Sequence, residues 1–318
     1  MKTKEQRNKK IYNHYMGSGL SFNKLSKVYN LTPQRIQKIV SDYKKTKIAT
    51  PLQPNASQKE REEYKNLAVE TRENSQLQLA LNMFNNIIIW DNKNKNYRGI
   101  ADVLGQIAIT NNKLAESTKN NAEKKEYIKQ SYLALEKATK LQDKKLAPVG
   151  GKAITYVQIA ATKNRAAQLL KGKSKNSLLL ESLNDINFAI KNLPGSKAHK
   201  AWPLKVKAQI LARLKKYDEA INTLATAEKQ LYLGYQEEMG WAKNGREQKK
   251  GVIGNDQAII KLQVWLVGIQ LTYAQIFKKT GRDLLAKFYA QAVLNMEDKE
   301  GVLKESKKTA KQILNEVN

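Results

Sequence analysis

Apolar residues recur at three- and four-residue spacing along most of the chain, which is the periodicity of amphipathic helices. The alternation of apolar and polar residues that marks a half-buried strand is almost absent. Only six prolines occur in 318 residues, and most of them stand between the periodic stretches, as expected for residues that begin or end helices. The pattern therefore predicts an all-α protein.

The first fifty residues show the pattern of three short helices, the first over residues 4–17. Ser21 and Thr32 are suited to cap the second and third helices, and Pro33 suits a first helical position, where its missing N–H costs nothing. Asn30 stands at the turn between these helices and tolerates a left-handed backbone. The residues expected to join the three helices are Ile11, Tyr12, Tyr15, Leu25, Tyr29, Leu31, Ile36 and Ile39, with Ser26 at the small position where the helices cross.

Residues 21–40 resemble region 4 of bacterial sigma factors and related helix-turn-helix regulators of phages and bacteria. The run Leu-Thr-Pro-Gln-Arg-Ile-Gln-Lys-Ile at 31–39 carries most of the likeness. The resemblance implies that the third helix enters the major groove of DNA, where Gln pairs with adenine and Arg or Lys with guanine. The alternative is a three-helix cap that docks another protein. The residues expected to contact DNA are Thr32, Gln34, Arg35, Gln37, Lys38, Ser41, Lys44 and Lys45.

The charge of the chain supports a polyanionic partner. Lys and Arg number 57 against 29 Asp and Glu, a formal net charge of +28. Residues 1–50 hold 12 basic and 2 acidic side chains, so +10 lies there, and residues 151–200 hold 9 and 2, or +7. A large net charge repels itself and costs stability unless a polyanion neutralises it. We therefore expect DNA as the partner of the N-terminal module, whereas no motif accompanies the second excess.

A segment with two prolines, residues 49–57, is predicted to link a module at 1–48 to a helical domain at 58–318. The pattern from 58 to about 90 predicts one long helix. Its expected apolar stripe consists of Leu77, Leu81, Phe84 and Ile88.

Residues 201–230 resemble a tetratricopeptide repeat (TPR), in which small residues lie where two helices cross. The resemblance implies a TPR-like α-solenoid or irregular helical bundle with about four helix pairs, separated by inserts such as 112–126 and 233–257. Residues 300–317 are predicted to cap the last pair or to contact another copy. The positions that carry the likeness are Ala208, Ala220, Leu224 and Ala227, then Ser182, Ile186 and Ala189, and Ser131, Leu135 and Ala138.

The residue inventory argues against an enzyme. The chain has no cysteine and two histidines, which excludes thiol chemistry and a three-histidine zinc site. No serine or carboxylate is placed beside His14 or His199 by any motif. Gly172-Lys-Ser, in a segment predicted to be a basic loop, lacks the earlier glycine and the strand of a phosphate-binding loop. We therefore expect no catalytic residues, no cofactor and no metal.

These features give three hypotheses for function. The first is a DNA-binding transcriptional regulator whose TPR-like domain binds a protein or peptide partner and forms a homo-oligomer. The second is a structural component of a phage virion, a ring, a connector or an internal DNA-associated protein, with a basic surface toward DNA or capsid. The third is a TPR scaffold. No apolar run reaches the ~20 residues of a membrane span, so we expect no membrane partner and a location in the cytoplasm or inside a phage particle.

Overall fold

A computed structural model describes residues 4–18, 20–144, 146, 149–243, 255–298 and 303–317. These residues form fourteen α-helices, two short 3-10 turns and no strand, so the predicted all-α class is confirmed. The helices are α1 (Lys4–Ser18), α2 (Phe22–Tyr29), α3 (Pro33–Ala49), α4 (Gln58–Glu73), α5 (Leu77–Lys93), α6 (Tyr97–Ser117), α7 (Asn121–Asp143), α8 (Val149–Ala166), α9 (Gly172–Asn192), α10 (Ala201–Arg213), α11 (Tyr217–Lys243), α12 (Asn255–Lys279), α13 (Asp283–Asn295) and α14 (Lys304–Glu316). None of these helices is long and apolar enough to cross a membrane.

Helices α1, α2 and α3 enclose a small core of their own. Each predicted apolar position contributes to it, either fully buried or packed against its edge. The rings of Tyr12 and Tyr43 pack at a tilt of 32° with their centroids 4.8 Å apart, and Tyr15 stacks on Phe22 at 5.0 Å. The fully buried members are Ile11, Tyr12, Leu25, Ile36, Ile39 and Val40.

The segment between α3 and α4, residues 50–57, is held against the helices that follow it. The Trp90 indole N–H donates to the carbonyl of Ala56 over 3.2 Å, and Leu52 packs on the core of α4 and α5. Ser57 and Glu60 form a capping box at the start of α4, in which each side chain accepts from the other residue's backbone N–H. Such reciprocal bonds satisfy two of the donors that every helix start leaves open.

The single helix predicted from 58 to 90 is wrong. The chain makes two helices there, and Ser75 between them has a left-handed backbone with φ of 63°. The predicted stripe is also out of register, because Phe84 is buried while Leu77, Leu81 and Ile88 are only partly so. The residues that α5 buries are Ala80, Met83, Phe84, Ile87, Trp90 and Asp91.

From α6 onward the helices pack as successive pairs: α6 with α7, α8 with α9, α10 with α11, and α12 with α13. Alternate helices also contact each other, from α6 through α8, α10 and α12 to α14, and therefore form one layer. The small and bulky positions taken from the repeat pattern are fully buried where helices meet. They are Ser131, Leu135, Ala138, Ser182, Ile186, Ala189, Ala208, Ala220, Leu224 and Ala227.

The predicted inserts are largely helical. Residues 112–126 belong to α6 and α7, apart from a short break at 118–120, and residues 233–243 continue α11. Of the rest of the second insert, residues 244–254 lie outside the described residues and 255–257 begin α12. The segment predicted to be a basic loop is instead the start of α9, which begins at Gly172 with φ of 58°.

Helix α14 covers the end of the last pair, which is one of the two outcomes predicted for it. It packs against α12 and α13. Leu303, Ala310 and Ile313 are buried there.

Candidate nucleic-acid interface

The turn between α2 and α3 is set by local contacts. The Ser21 hydroxyl oxygen accepts from the backbone N–H of Lys24, which caps α2. Asn30 has φ of 50° and ψ of 51°, and its N–H donates to the carbonyl of Ser26. The N–H of Leu31 donates to the same carbonyl over 3.1 Å. The left-handed Asn30 and the Ser21 cap predicted from the sequence are thus confirmed.

Helix α3 starts as predicted, with Pro33 as its first residue. The hydroxyl oxygen of Thr32 accepts from the backbone N–H of Arg35 over 3.2 Å. This capping bond occupies the oxygen of Thr32 as an acceptor and leaves its hydrogen free to donate. Among the predicted DNA contacts, Thr32 is therefore suited to a phosphate oxygen at the start of the helix, a common position for anion contacts.

Helix α3 separates apolar and polar residues onto opposite faces. Ile36, Ile39 and Val40 point into the core of the first three helices. The predicted contact residues are exposed on the other side, because positions three and four apart share one face of a helix. The exposed set is Gln34, Arg35, Gln37, Lys38, Ser41 and, one turn further, Lys45. The side chain of Lys44 lies outside the described residues.

The exposed face of α3 is cationic. Asp42 is the sole carboxylate in its sequence. Within the described part of the chain, neither Arg35 nor Lys38 forms an ion pair with a carboxylate, so both remain available to an anion. An Arg on such a face presents a planar fork of donors that fits a guanine edge or a phosphate.

Polar and ring contacts join α1 to α2, and both of these helices pack against α3. The Nδ1 atom of His14 lies 3.0 Å from the hydroxyl of Tyr29, and their rings meet edge to face at 5.7 Å. The Tyr29 hydroxyl also donates to the carbonyl of Lys10 over 3.4 Å. Burial raises the pKa of Tyr29, and a phenol is protonated at neutral pH even without this rise, so Tyr29 remains a donor.

A second polar cluster was missed by the sequence analysis. Ser196 and Glu238 both contact the same nitrogen of His199: the Ser196 Oγ atom lies 2.9 Å and the Glu238 Oε1 atom 3.1 Å from Nδ1. A nucleophile–base–acid relay needs the nucleophile and the acid on opposite ring nitrogens, and this arrangement differs from it. Ser196 also bonds to Glu238, which is fully buried. The cluster fastens the 3-10 turn at 197–200 to α11.

No protein-family model matches the chain, and no curated protein matches its sequence. The function is therefore inferred from the geometry of the chain itself.

Proposed function

We propose that this protein is a transcriptional regulator that binds DNA through α3 and binds a protein or peptide partner through its helix pairs, α6 to α13. The exposed face of α3 is the observation that carries the proposal. The amides of Gln34 and Gln37, the guanidinium of Arg35 and the ammonium of Lys38 lie exposed next to one another. The opposite face of the helix packs into the core of the first three helices. This combination of donors, acceptors and positive charge on one helix face matches what base edges in a major groove offer.

The chemistry assigns different tasks to different side chains. Arg35 is suited to the two acceptors of guanine, and Gln34 or Gln37 to the donor and acceptor of adenine. Lys45, a turn beyond them, is suited to a phosphate, which holds the helix in register without selecting a sequence. A 17-residue helix such as α3 is about 26 Å long at 1.5 Å per residue, which is longer than the groove is wide.

The arrangement of helices α6 to α13 supports the proposal that the regulator binds a partner. The helix pairs from α6 to α13 stack on one another, and alternate helices contact each other in one layer. Stacked helix pairs of this kind present an extended surface to a partner. We propose a protein or peptide partner on this surface.

A second candidate, a DNA-associated structural component, is favoured by the charge outside the N-terminal module. Of the +28 total, +10 lies in residues 1–50, which leaves +18 on the rest of the chain. Such a component needs affinity for DNA of any sequence.

Selection from random DNA distinguishes the two candidates. The full-length chain is used to select duplexes, and fluorescence anisotropy then compares the selected duplex with a scrambled one at fixed salt. A regulator prefers the selected duplex by a factor of at least about 10³. Equal affinity for both duplexes would contradict the regulator and support the structural component.

Variants on α3 test the interface. Arg35→Ala and Gln37→Ala are each expected to reduce the preference for the selected duplex by about 1–3 kcal/mol. Arg98→Ala and Gln78→Ala remove the same residue types from exposed positions on α6 and α5 and are expected to change nothing. Lys45→Ala is expected to weaken both duplexes alike and to reduce the salt slope by about one. Loss of preference in the control variants would place the interface elsewhere.

A further inference from the structure

A polar cavity of about 340 Å³ lies in the layer of alternate helices. Side chains from the end of α6, from α8, from α10 and from α12 line it, together with the 3-10 turn after α8. Four cations line this cavity: Arg165, Lys205, Arg213 and Lys279. We call this the basic cavity.

The basic cavity has far more positive than negative charge. Glu116 is its only carboxylate, and its Oε1 atom accepts from Nε of Arg165 over 2.6 Å. Among the described residues, no carboxylate forms an ion pair with Lys205, Arg213 or Lys279. Three cations from two helices therefore converge without a carboxylate in direct contact, and the charge of Glu116 offsets only part of theirs.

This convergence is unfavourable while the basic cavity holds no anion. Burial, and then repulsion from Arg165, lower the pKa of Lys205 to about 8 and that of Arg213 to about 10. Burial and the charge of Arg213 also lower the pKa of Lys279. Depressed pKa values of this kind mark charges that the surroundings do not compensate.

The cations are nevertheless held in place. The side-chain amide of Gln168 lies against Arg213, and in the orientation that places its oxygen there it accepts from both terminal nitrogens of the guanidinium over 2.9 and 2.6 Å. Gly268 on α12 makes room for the stem of Lys205, because a Cβ atom there would lie 3.1 Å from its Cδ atom. Pre-organised donors bind an anion without the cost of ordering themselves.

Neutral groups complete the lining. Gln209 donates to the hydroxyl of Thr272 over 3.4 Å. Asn164, almost fully buried, lines the cavity with a carbonyl oxygen that has no hydrogen-bond partner. Such an orphaned acceptor is costly unless a ligand or water donates to it. It therefore suits a hydroxyl of the ligand, such as that of a partly protonated phosphate or of citrate, and not one of its charged oxygens.

We propose that the basic cavity binds a small anion that carries at least two negative charges, of the phosphate or polycarboxylate class. The volume is at the lower end of the range for small-molecule sites, which favours a compact ligand. The polar lining disfavours an apolar one. The exposed Lys279 lies at the rim, and the half-buried Lys205 and Arg213 lie deeper. This site is separate from α3 and does not depend on the protein's binding to DNA.

Thermal unfolding of the full-length chain tests the proposal. Pyrophosphate and citrate are titrated at constant ionic strength, with sodium chloride as the balancing salt. Either anion is expected to raise the Tm along a saturable curve, and the one with the lower midpoint identifies phosphate or carboxylate chemistry. The same rise is expected in Arg35→Ala, which separates this site from the DNA interface.

Charge-removing variants locate the site. Lys205→Met and Arg213→Met are each expected to weaken binding by about tenfold or more, the loss typical of a hydrogen bond to a charged group. Lys191→Met removes an exposed lysine from α9 and is expected to leave the affinity unchanged. Without added anion, Lys205→Met is expected to unfold at the same Tm as the native chain or at a higher one, because it removes repulsion.

Three results would overturn the proposal. One is the absence of a saturable rise in Tm with either anion. Another is an equal loss in Lys191→Met, which would indicate general screening of the basic surface. The third is an anion affinity that is unchanged in both single variants, Lys279→Met and Arg213→Met. The rim variant Lys279→Met keeps the test decisive if a deeper variant does not fold.

Discussion

At the scale of single residues, the strongest feature of the large helical region is a buried ion pair that joins three helices. Arg61 on α4 donates to both carboxylate oxygens of Asp91 on α5, and the two side chains are 1% and 0% exposed. The side chain of Asn96, which caps α6, donates to the same carboxylate over 2.6 Å. A paired buried charge is stable only while its partner remains.

The first residue-scale prediction follows from this pair. Asp91→Ala is expected to lower the free energy of unfolding by about 3 kcal/mol, because it removes the buried counter-charge of Arg61 and leaves the guanidinium paired only with the partly exposed Glu62. Urea denaturation measures the loss. Glu136→Ala breaks the exposed pair with Lys140 and is expected to cost less than about 1 kcal/mol. A similar small loss in Asp91→Ala would contradict this expectation and show that the remaining pair with Glu62 is enough to stabilise the buried guanidinium.

Residue-scale features were predictable where neighbours along the chain decide them. The Ser21 cap, the left-handed Asn30 and the Thr32 cap each depend on bonds that span three to five residues. Arg61 and Asp91 are 30 residues apart and have no periodic signature. The cations of the basic cavity come from separate helices, so the sequence showed an excess of charge but not where it converges.

At the scale of elements, glycine illustrates the limit of sequence patterns. Gly234 falls within the predicted insert 233–257, yet it lies inside α11, buried against the 3-10 turn at 197–200. A Cβ atom at this position would lie 2.0 Å from the backbone nitrogen of Ala198. The absence of a side chain at Gly234 therefore allows two backbone segments to pack closely. Close backbone packing requires glycine at some positions, as turns do at others.

Gly234→Ala is expected to lower the free energy of unfolding by about 1–3 kcal/mol, the cost of forcing packed segments apart. This sign opposes helix propensity, which favours Ala over Gly by about 1 kcal/mol. Chemical denaturation followed by circular dichroism gives the value. Gln236→Ala, exposed two residues further along α11, is the control and is expected to be neutral. Stabilisation by Gly234→Ala would show that the turn yields without cost.

The break between α4 and α5 at residues 74–76 is a helix boundary that the sequence pattern does not predict. Neither proline nor glycine marks it, and Ser75 takes the left-handed conformation that usually favours glycine. The reversal lets α4 and α5 pack against each other around Tyr64, Leu67 and Phe84. Burial of this apolar surface outweighs the local cost, so tertiary packing decides where the helix ends.

At the scale of the whole molecule, the charge of +28 acts on folding and on binding in opposite directions. Salt screens repulsion among the exposed lysines and so favours the folded state. The same salt weakens attachment to DNA, because binding releases counterions from the phosphates.

The Tm of the free chain is therefore expected to rise as sodium chloride increases from about 0.01 to 1 M, where the screening length falls from about 30 to 3 Å. Differential scanning calorimetry measures this rise. Substitution of four exposed lysines by glutamate changes the charge by two units at each position and lowers the net charge from +28 to +20. This variant is expected to have a higher Tm at low salt and a weaker dependence of Tm on salt. A falling Tm would show that attractive pairs outweigh the repulsion. The four positions are Lys125, Lys137, Lys173 and Lys229.

The sequence by itself determined the all-α class, the caps and turn of the first three helices, and the buried positions of the repeated helix pairs. These features follow from helical periodicity and from bonds between near neighbours, which the order of residues contains directly. Only the tertiary structure decided the break after α4, the pairing of Arg61 with Asp91, the close approach at Gly234 and the basic cavity. Each of these depends on which distant helices pack together, and that choice is made by the burial of the whole apolar surface.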